Sequence, residues 1–202
     1  MKLLLTSAGL NNQHVIDAFI SLLPKPPANC SVCMVEYSLN AVEQQYIDES
    51  EMELRDLGIK NIHVLHLQQE KIEDDLSVYD CIYVCGGNTY SILDRLRKTT
   101  LDQAIKHTIN NNRTVYVGVS AGSILAGPDI SIAGWGSEGD PNNVGLTDLT
   151  GFGFVDFSVF PHFKPKLASE VEAFQTKTNQ RVVTLADEQA IVVENLRVTR
   201  IS

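Results

Sequence analysis

A serine between two glycines stands where a buried strand is predicted to end. The sequence there is Gly118-Val119-Ser120-Ala121-Gly122, directly after a strand predicted over 114–119. Small neighbours allow the tight strand-to-helix turn of a nucleophile elbow, in which the hydroxyl stands clear at the start of the next helix. The amide group of Ala121 would then be available to donate to a developing oxyanion. A glycine-rich turn in which Ser120 only caps the helix is the alternative interpretation.

A histidine is the residue that such a serine needs, because its hydroxyl becomes a good nucleophile only when a base accepts the proton. His162 follows a strand predicted over 154–160 and enters a loop whose backbone Pro161 restrains. We therefore predict that His162 is the base for Ser120. A packed, hydrogen-bonded histidine without a chemical role is the alternative. The other histidines are His14, His63, His66 and His107.

An acidic side chain must then hold the imidazole in the tautomer that accepts the serine proton. Asp187 and Glu188 lie at a predicted strand boundary downstream of His162, and either could take this role or belong to an exposed acidic turn. Acids between the serine and the histidine would instead give the serine, acid, histidine order of α/β-hydrolases. They are Asp129, Asp140, Asp148 and Asp156. The segment between Ser120 and His162 is short for the strands and helices that such hydrolases insert there.

A second glycine-rich turn, Gly86-Gly87-Asn88-Thr89, follows a strand predicted over 81–85. Open α/β sheets bind ligands at the carboxyl ends of their parallel strands, so we expect this turn to lie beside the serine turn. Glycine lets the backbone approach a bound carbonyl oxygen, which makes the amide of Gly87 a candidate second oxyanion donor. A phosphate cradle is the alternative, although this turn matches neither G-x-G-x-x-G nor G-x-x-x-x-G-K-[ST].

The four cysteines form two closely spaced pairs, Cys30 with Cys33 and Cys81 with Cys85, so a four-thiolate zinc site has to be considered. Both pairs, however, lie in apolar segments that favour strands. Residues three positions apart in a strand face opposite sides of the sheet. We therefore expect buried thiols, and we predict no metal and no other cofactor.

Strands and helices alternate along most of the chain, which is typical of a parallel sheet covered on both faces. Strands are predicted over 3–6, 32–37, 62–67, 81–85, 114–119, 154–160, 181–185, 190–193 and 197–201, and helices over 12–23, 41–57, 90–97, 101–110 and 166–176. We expect a single α/β domain over residues 1–202, with a mostly parallel central sheet.

Three local features complete this prediction. Gly58 is expected to end the second helix in a left-handed conformation. A hairpin is expected about Glu194-Asn195, and the acidic segment 70–75 reads as a solvated helix face. The segment 134–143 has the composition of a long loop, and such loops in compact domains are often functional.

Composition narrows the class of protein. The chain has 202 residues, with 16 lysines and arginines against 25 aspartates and glutamates, so its formal charge is −9. Nucleic acid is an unfavourable partner for an acidic chain. The longest uncharged segment, 114–128, is interrupted by glycines and too short to span a bilayer, and the amino terminus lacks the apolar segment of a secretory signal. We therefore expect a cytoplasmic protein without a membrane partner.

Taken together, the motifs resemble the dipeptidase E (aspartyl dipeptidase) family of serine peptidases, which also contains cyanophycinases. The matching segments occur in family order from about 81 to 193. They are Gly86-Gly87-Asn88-Thr89, Gly118-Val119-Ser120-Ala121-Gly122, Pro161-His162-Phe163 and the acidic segment from Asp187 to Ala190. The resemblance implies a class I glutamine amidotransferase-like (flavodoxin-like) sandwich. It also implies a nucleophile at Ser120, a base at His162 and oxyanion donors at Gly87 and Ala121.

The third member of the implied triad departs from the family pattern. That acid is usually a glutamate followed by glycine, and alignment on Ala190 puts Asp187 at its place and Glu188 at the glycine. We therefore predict Asp187 as the acid. Glu138 and Asp140, in the loop 134–143, are either ligands for the free amino group of a substrate or solvated acids.

The function implied by the resemblance is hydrolysis of short peptides through an acyl-enzyme, as in a dipeptidase. A small peptide is the expected partner, and the oligomeric state is left open. Two alternatives share the fold: a binding or interaction protein that has lost catalysis, and an esterase-type acyl hydrolase.

Overall fold

Nine strands, six α-helices and four short 3₁₀ helices lie in the residues that the computed structural model describes, which are 1–69, 75–111, 114–195 and 197–202. The strands are β1 (Lys2–Thr6), β2 (Ser31–Glu36), β3 (Asn61–His66), β4 (Cys81–Val84), β5 (Val115–Val119), β6 (Ser158–Phe160), β7 (Val182–Thr184), β8 (Ala190–Glu194) and β9 (Arg197–Ile201). The helices are α1 (Gln13–Leu22), α2 (Ala41–Asp56), α3 (Thr89–Lys98), α4 (Leu101–Asn110), α5 (Ala121–Leu125) and α6 (Ala168–Thr178).

Seven strands form the central sheet, in the order β3-β2-β4-β5-β1-β8-β9. β1 to β5 run parallel to one another, whereas β8 is antiparallel to β1 and to β9. The sheet is therefore mostly parallel, as predicted. β6 and β7 stand apart as a parallel two-stranded sheet.

Two hydrophobic clusters cover the two faces of the central sheet. One contains buried side chains of α1 and α2, such as Phe19 and Leu54, and the other contains side chains of α3, α4 and α5, such as Leu96 and Leu125. Every residue of β4 and β5 is buried, which explains why these strands read as unbroken apolar runs in the sequence. The predicted α/β sandwich with helices on both faces is confirmed.

Local signals fix several element ends. Asn12 caps α1 by accepting from the amide of Val15, and Asn40 caps α2 in the same way. Gly58 follows α2 with a φ of +86°, as the sequence predicts. The predicted hairpin joins β8 to β9, and Asn195 in its turn has a positive φ.

The strand predicted over 154–160 is shorter than expected. Only Ser158–Phe160 pair in a sheet, because the amides of Phe154 and Val155 donate to the carbonyl of Ala126 after α5. Residues 70–74 lie outside the described ranges, so the solvated helix face predicted there stays a prediction.

All four cysteines are buried in the sheet. Cys33 faces one hydrophobic cluster and Cys30 the other, as expected for residues three positions apart. Cys81 and Cys85 are four positions apart and face the same cluster, so the expectation of opposite faces was wrong for this pair. Across the described part of the chain, no group of three or more His, Cys, Asp or Glu side chains is arranged to hold a metal ion. No helix in those same residues is long and apolar enough to cross a membrane.

Candidate active site

Ser120 lies in a strained turn between β5 and α5. Its φ is 49° and its ψ −105°, a backbone conformation that non-glycine residues rarely adopt. The flanking glycines make the turn sterically feasible. A Cβ on Gly118 would lie 2.5 Å from the backbone of Gly122, and a Cβ on Gly122 would overlap the carbonyl oxygen of Val84. The turn therefore has the geometry predicted for a nucleophile elbow.

The structure brings Ser120, His162 and Asp187 into one chain of contacts. The Ser120 Oγ lies 2.9 Å from the His162 Nε2, and the His162 Nδ1 lies 2.6 Å from the Asp187 Oδ1. With Nδ1 protonated and donating to the carboxylate, Nε2 is left as the acceptor for the serine proton. These three groups thus stand in the order that nucleophilic catalysis by serine requires.

The small parallel sheet explains how the histidine and the acid meet. Phe160, the last residue of β6, pairs with Thr184, the last residue of β7, so both strands end at the same edge. His162 lies two residues after the end of β6, and Asp187 lies three residues after the end of β7. The turn that carries Asp187 is also held by Asn11, whose amide donates to the Asp187 carbonyl at 2.8 Å.

The electrostatic setting of Asp187 favours the carboxylate. Partial burial raises the pKa of this acid, but the hydrogen bond and charge of His162, the hydroxyl of Ser7 and the charge of Lys164 outweigh it and hold the pKa below its ordinary value. Asp187 is therefore ionised at neutral pH. Glu188, the other acid considered from the sequence, is exposed, and its carbonyl accepts from Asn12 at 2.8 Å.

The acids that precede His162 in the chain have other partners. Asp129 accepts from the amide and hydroxyl of Ser131, and Asp148 accepts from the amide of Thr150. Asp156 lies 3.8 Å from Arg181, and Asp140 accepts from the amide and hydroxyl of Thr89. The serine, acid, histidine order of α/β-hydrolases therefore does not describe this site.

The loop 134–143 is tied down by its acids. Asp140 holds it to the first residue of α3, and Glu138 forms an ion pair with Lys166 at 2.7 Å. The hydrogen bond and charge of Lys166 lower the pKa of the Glu138 carboxyl. Both acids therefore already have partners within this chain.

The second glycine turn lies against the elbow, as predicted. A Cβ on Gly86 would be 3.4 Å from the Cβ of Ser120, and Gly87 has a φ of +136°. Ala121 is the first residue of α5, and the first amides of a helix have no acceptor within that helix. Gly87 therefore follows a residue that lies against Ser120, and Ala121 follows Ser120 itself in the chain.

Ser7 is a polar residue of this site that the sequence pattern did not indicate. It follows β1, is fully buried, and accepts from the amide of His162 at 2.7 Å while donating to the Asp187 Oδ1 at 3.1 Å. Its position immediately after a buried strand, as for Ser120 after β5, is the one signal in the sequence that could have pointed to it.

A cleft of about 630 Å³ opens over these groups. Ser120, His162 and Gly87 lie in its wall, together with apolar side chains such as Trp135 and Leu167. This volume falls within the range typical of small-molecule sites, roughly 300 to 1,000 Å³.

Known proteins resemble this chain over most of its length. The sequence profile of peptidase family S51 matches residues 3–201. An uncharacterised peptidase of Pasteurella multocida is 30% identical over 166 residues, which are 80% of this chain and 73% of that protein. Peptidase E of Streptomyces coelicolor is 25% identical over 98% of this chain and 78% of its own length.

A solved structure from Listeria monocytogenes, provisionally described as a peptidase E protein, shares the fold. Its TM-score is 0.80 at 24% identity, with 98% of this chain and 96% of that chain covered. The family resemblance seen in the sequence motifs is confirmed by the profile and by the Pasteurella relative. The chain therefore belongs to peptidase family S51 and is a peptidase, a hydrolase.

Proposed function

We propose that this peptidase cleaves short peptides by a serine mechanism through an acyl-enzyme. The observation that carries the proposal is the 2.9 Å contact between the Ser120 Oγ and the His162 Nε2, at a turn exposed to the cleft. In this proposal Ser120 is the nucleophile, His162 the general base and then acid, and Asp187 the group that orients and charge-stabilises the imidazole.

The first half of the cycle forms the acyl-enzyme. Ser120 Oγ attacks the scissile carbonyl carbon while its proton passes to His162 Nε2, and the carbonyl oxygen becomes an oxyanion. The amides of Gly87 and Ala121 are proposed to donate to that oxyanion. When the C–N bond breaks, His162 gives the proton to the leaving amine, and an ester on Ser120 remains.

The second half releases the acid product. Water gives a proton to His162 Nε2 and attacks the ester carbon, and the resulting oxyanion is held by the same two amides. Collapse of this intermediate breaks the bond to Ser120 Oγ, which regains its proton from His162. The reaction consumes one peptide and one water and restores the enzyme.

The size of the cleft supports a short substrate. A volume of about 630 Å³ suits a ligand of the size of a dipeptide or tripeptide better than a folded chain. The Streptomyces coelicolor relative named peptidase E supports a peptide as the substrate.

Substitution of the nucleophile tests the proposal. Ser120→Ala is expected to abolish hydrolysis across a panel of dipeptides and to prevent labelling by a fluorophosphonate, while the thermal unfolding midpoint stays close to that of the wild type. Ser21→Ala, an exposed serine of α1, is the matched control and is expected to behave as the wild type.

Two outcomes would change the assignment. Turnover of esters but of no peptide would make the protein an esterase-type acyl hydrolase. Wild-type protein that neither turns over a substrate nor reacts with the fluorophosphonate would favour a binding role on the same fold.

A further inference from the structure

Ser7 is hydrogen-bonded to both His162 and Asp187, the two residues that act together on the proton of Ser120 in the proposed mechanism. We propose that Ser7 is a positioning residue, which holds His162 and Asp187 in mutual register so that Nε2 faces Ser120. This inference rests on the proposed serine mechanism. It concerns a residue that never touches the substrate in that mechanism and acts only through the other two.

The position of Ser7 follows from the order of the central sheet. β1 lies between β5 and β8, and Thr6 pairs with Val119 on one side and with Ala190 on the other. Ser7 is the next residue, so it lies between the elbow that follows β5 and the turn that precedes β8. Its own amide donates to the carbonyl of Gln189 in that turn at 3.3 Å.

The hydroxyl of Ser7 makes two bonds of fixed direction. The amide of His162 can only donate and the ionised carboxylate of Asp187 can only accept, so the hydroxyl accepts from the first and donates to the second. The Asp187 Oδ1 that receives this bond is also the atom bound by the His162 Nδ1. Backbone amide, hydroxyl, carboxylate and imidazole thus close a ring of hydrogen bonds.

Both partners need such a restraint. His162 has a φ of +54°, which is unfavourable for a non-glycine residue, and its side chain is about half exposed. The side chain of Asp187 is also about half exposed, so packing alone does not fix its rotamer. Ser7, by contrast, is fully buried next to a central strand and can serve as the rigid reference for both.

The ring also favours one tautomer of His162. An Asp187 Oδ1 held in place by Ser7 accepts from Nδ1–H, which leaves Nε2 unprotonated toward Ser120. Without the hydroxyl, the carboxylate can rotate away, and the imidazole is no longer fixed in the reactive tautomer. The expected consequence is a slower chemical step with substrate binding almost unchanged.

The test is a double-mutant cycle between Ser7→Ala and Asp187→Ala. For each variant, kcat and KM are measured on the best dipeptide substrate. Ser7→Ala alone is expected to lower kcat by about 10- to 100-fold with little change in KM, and to have only a small further effect when Asp187 is already alanine. Ser158→Ala is the matched control, because Ser158 is equally buried and its hydroxyl donates to Gln180, which is not a member of the proposed triad.

A spectroscopic readout separates positioning from a purely structural role. Nitrogen-15 chemical shifts of His162 are expected to show the Nδ1–H tautomer in the wild type and a mixture of tautomers in Ser7→Ala. Unchanged shifts and unchanged kcat, with only a lower unfolding midpoint as in Ser158→Ala, would overturn the inference. The inference would also be overturned if the loss of kcat in the double variant equalled the product of the losses in Ser7→Ala and Asp187→Ala, because the two residues would then act independently.

The same measurements distinguish this inference from the proposed function. If Ser120→Ala retained peptidase activity, the serine mechanism would fail. The tautomer of His162 in the wild type and in Ser7→Ala would still show whether Ser7 positions the imidazole.

Discussion

Ser120 is held in a backbone conformation that costs free energy, and the neighbouring structure supplies the restraint. Its φ of 49° and ψ of −105° are rare for a residue with a Cβ, and conformations of this kind cost about 1–3 kcal/mol each. Its amide donates to the carbonyl of Thr6 at 3.0 Å, which fixes the turn against β1. The strain has a clear chemical benefit, because it points the hydroxyl at His162.

Replacement of Ser120 by glycine and by alanine is expected to separate the strain from the chemistry. Both variants should lose activity. The free energy of unfolding of Ser120→Gly should be about 1 kcal/mol higher than that of Ser120→Ala, because glycine accepts a positive φ. At an unstrained position glycine is normally the less stable of the two. Urea denaturation of both variants checks the order, and a less stable glycine variant would show that the turn stores no strain.

Neutralising the neighbouring acids Asp187 and Glu188 one at a time tests which of them supports catalysis. Asp187→Asn keeps the shape of the side chain but can no longer favour the Nδ1–H tautomer and imidazolium, so kcat should fall by roughly 10³-fold or more. Glu188→Gln should leave kcat within about twofold, because the Glu188 side chain is exposed and Asp187 is the acid that contacts His162. Steady-state kinetics on one dipeptide decides the matter. Equal losses in both variants would remove Asp187 from the proposed triad.

At the scale of elements, the site depends on two sets of parallel strands that end at one place. β4, β5 and β1 bring the glycine turn, the elbow and Ser7 to the carboxyl edge of the central sheet. β6 and β7 bring His162 and Asp187 from a separate sheet. Two of the contacts that join the two sets are the hydrogen bond from the His162 amide to the buried hydroxyl of Ser7 and the contact of Ser120 with His162.

The close approach of α5 to β4 is the most demanding packing contact of the elbow. A methyl group on Gly122 would overlap the carbonyl of Val84, so Gly122→Ala should lower the free energy of unfolding by about 1–3 kcal/mol and displace Ser120. Gly145→Ala is the comparison, because nothing lies within 4 Å of its added Cβ, so only its φ of +66° disfavours alanine there. Chemical denaturation of both variants should show the larger loss for Gly122→Ala. A loss of unfolding free energy in Gly122→Ala smaller than that in Gly145→Ala would mean that the turn can shift to accommodate the added methyl group.

Most elements could be predicted from the sequence because their signals are local. Alternating apolar segments, asparagine caps and Gly58 set the strands and helices of the first half within a residue or two. The relation of Ser7 to the site could not be predicted, because it depends on β1 lying between β5 and β8. For the same reason, the pairing of β6 with β7 could not be predicted, although the alignment on Ala190 already indicated Asp187 as the partner of His162.

At the scale of the whole molecule, α2 is joined to the segment after β1 on one side of the cleft. Glu53 of α2 accepts from the amide of Leu10 at 2.9 Å and lies in the cleft wall with Ser7. Burial raises the pKa of the Glu53 carboxyl, and the hydrogen bond from Leu10 only partly opposes this shift. An acid of raised pKa makes the stability of the fold depend on pH.

The sign of this dependence follows from proton linkage. As the pH rises past the ordinary glutamate pKa, the unfolded chain releases the Glu53 proton while the folded chain still holds it. The folded state then binds more protons, so this group lowers the free energy of unfolding until the pH passes its raised pKa. Below the ordinary pKa the carboxyl is neutral in both states and contributes no pH dependence.

Glu53→Gln should therefore gain stability relative to the wild type when the pH is raised from about 4 to about 7. The amide oxygen of glutamine can still accept from Leu10, so the link between α2 and the segment after β1 is retained. Glu172→Gln, an exposed acid on α6, is the control and should show no comparable gain. Urea denaturation of the three proteins at both pH values measures the effect. A difference between Glu53→Gln and wild type that stays constant or shrinks with pH would show that the Glu53 carboxyl is well solvated, and that α2 and the segment after β1 are held together by packing around Leu54 and Leu10 instead.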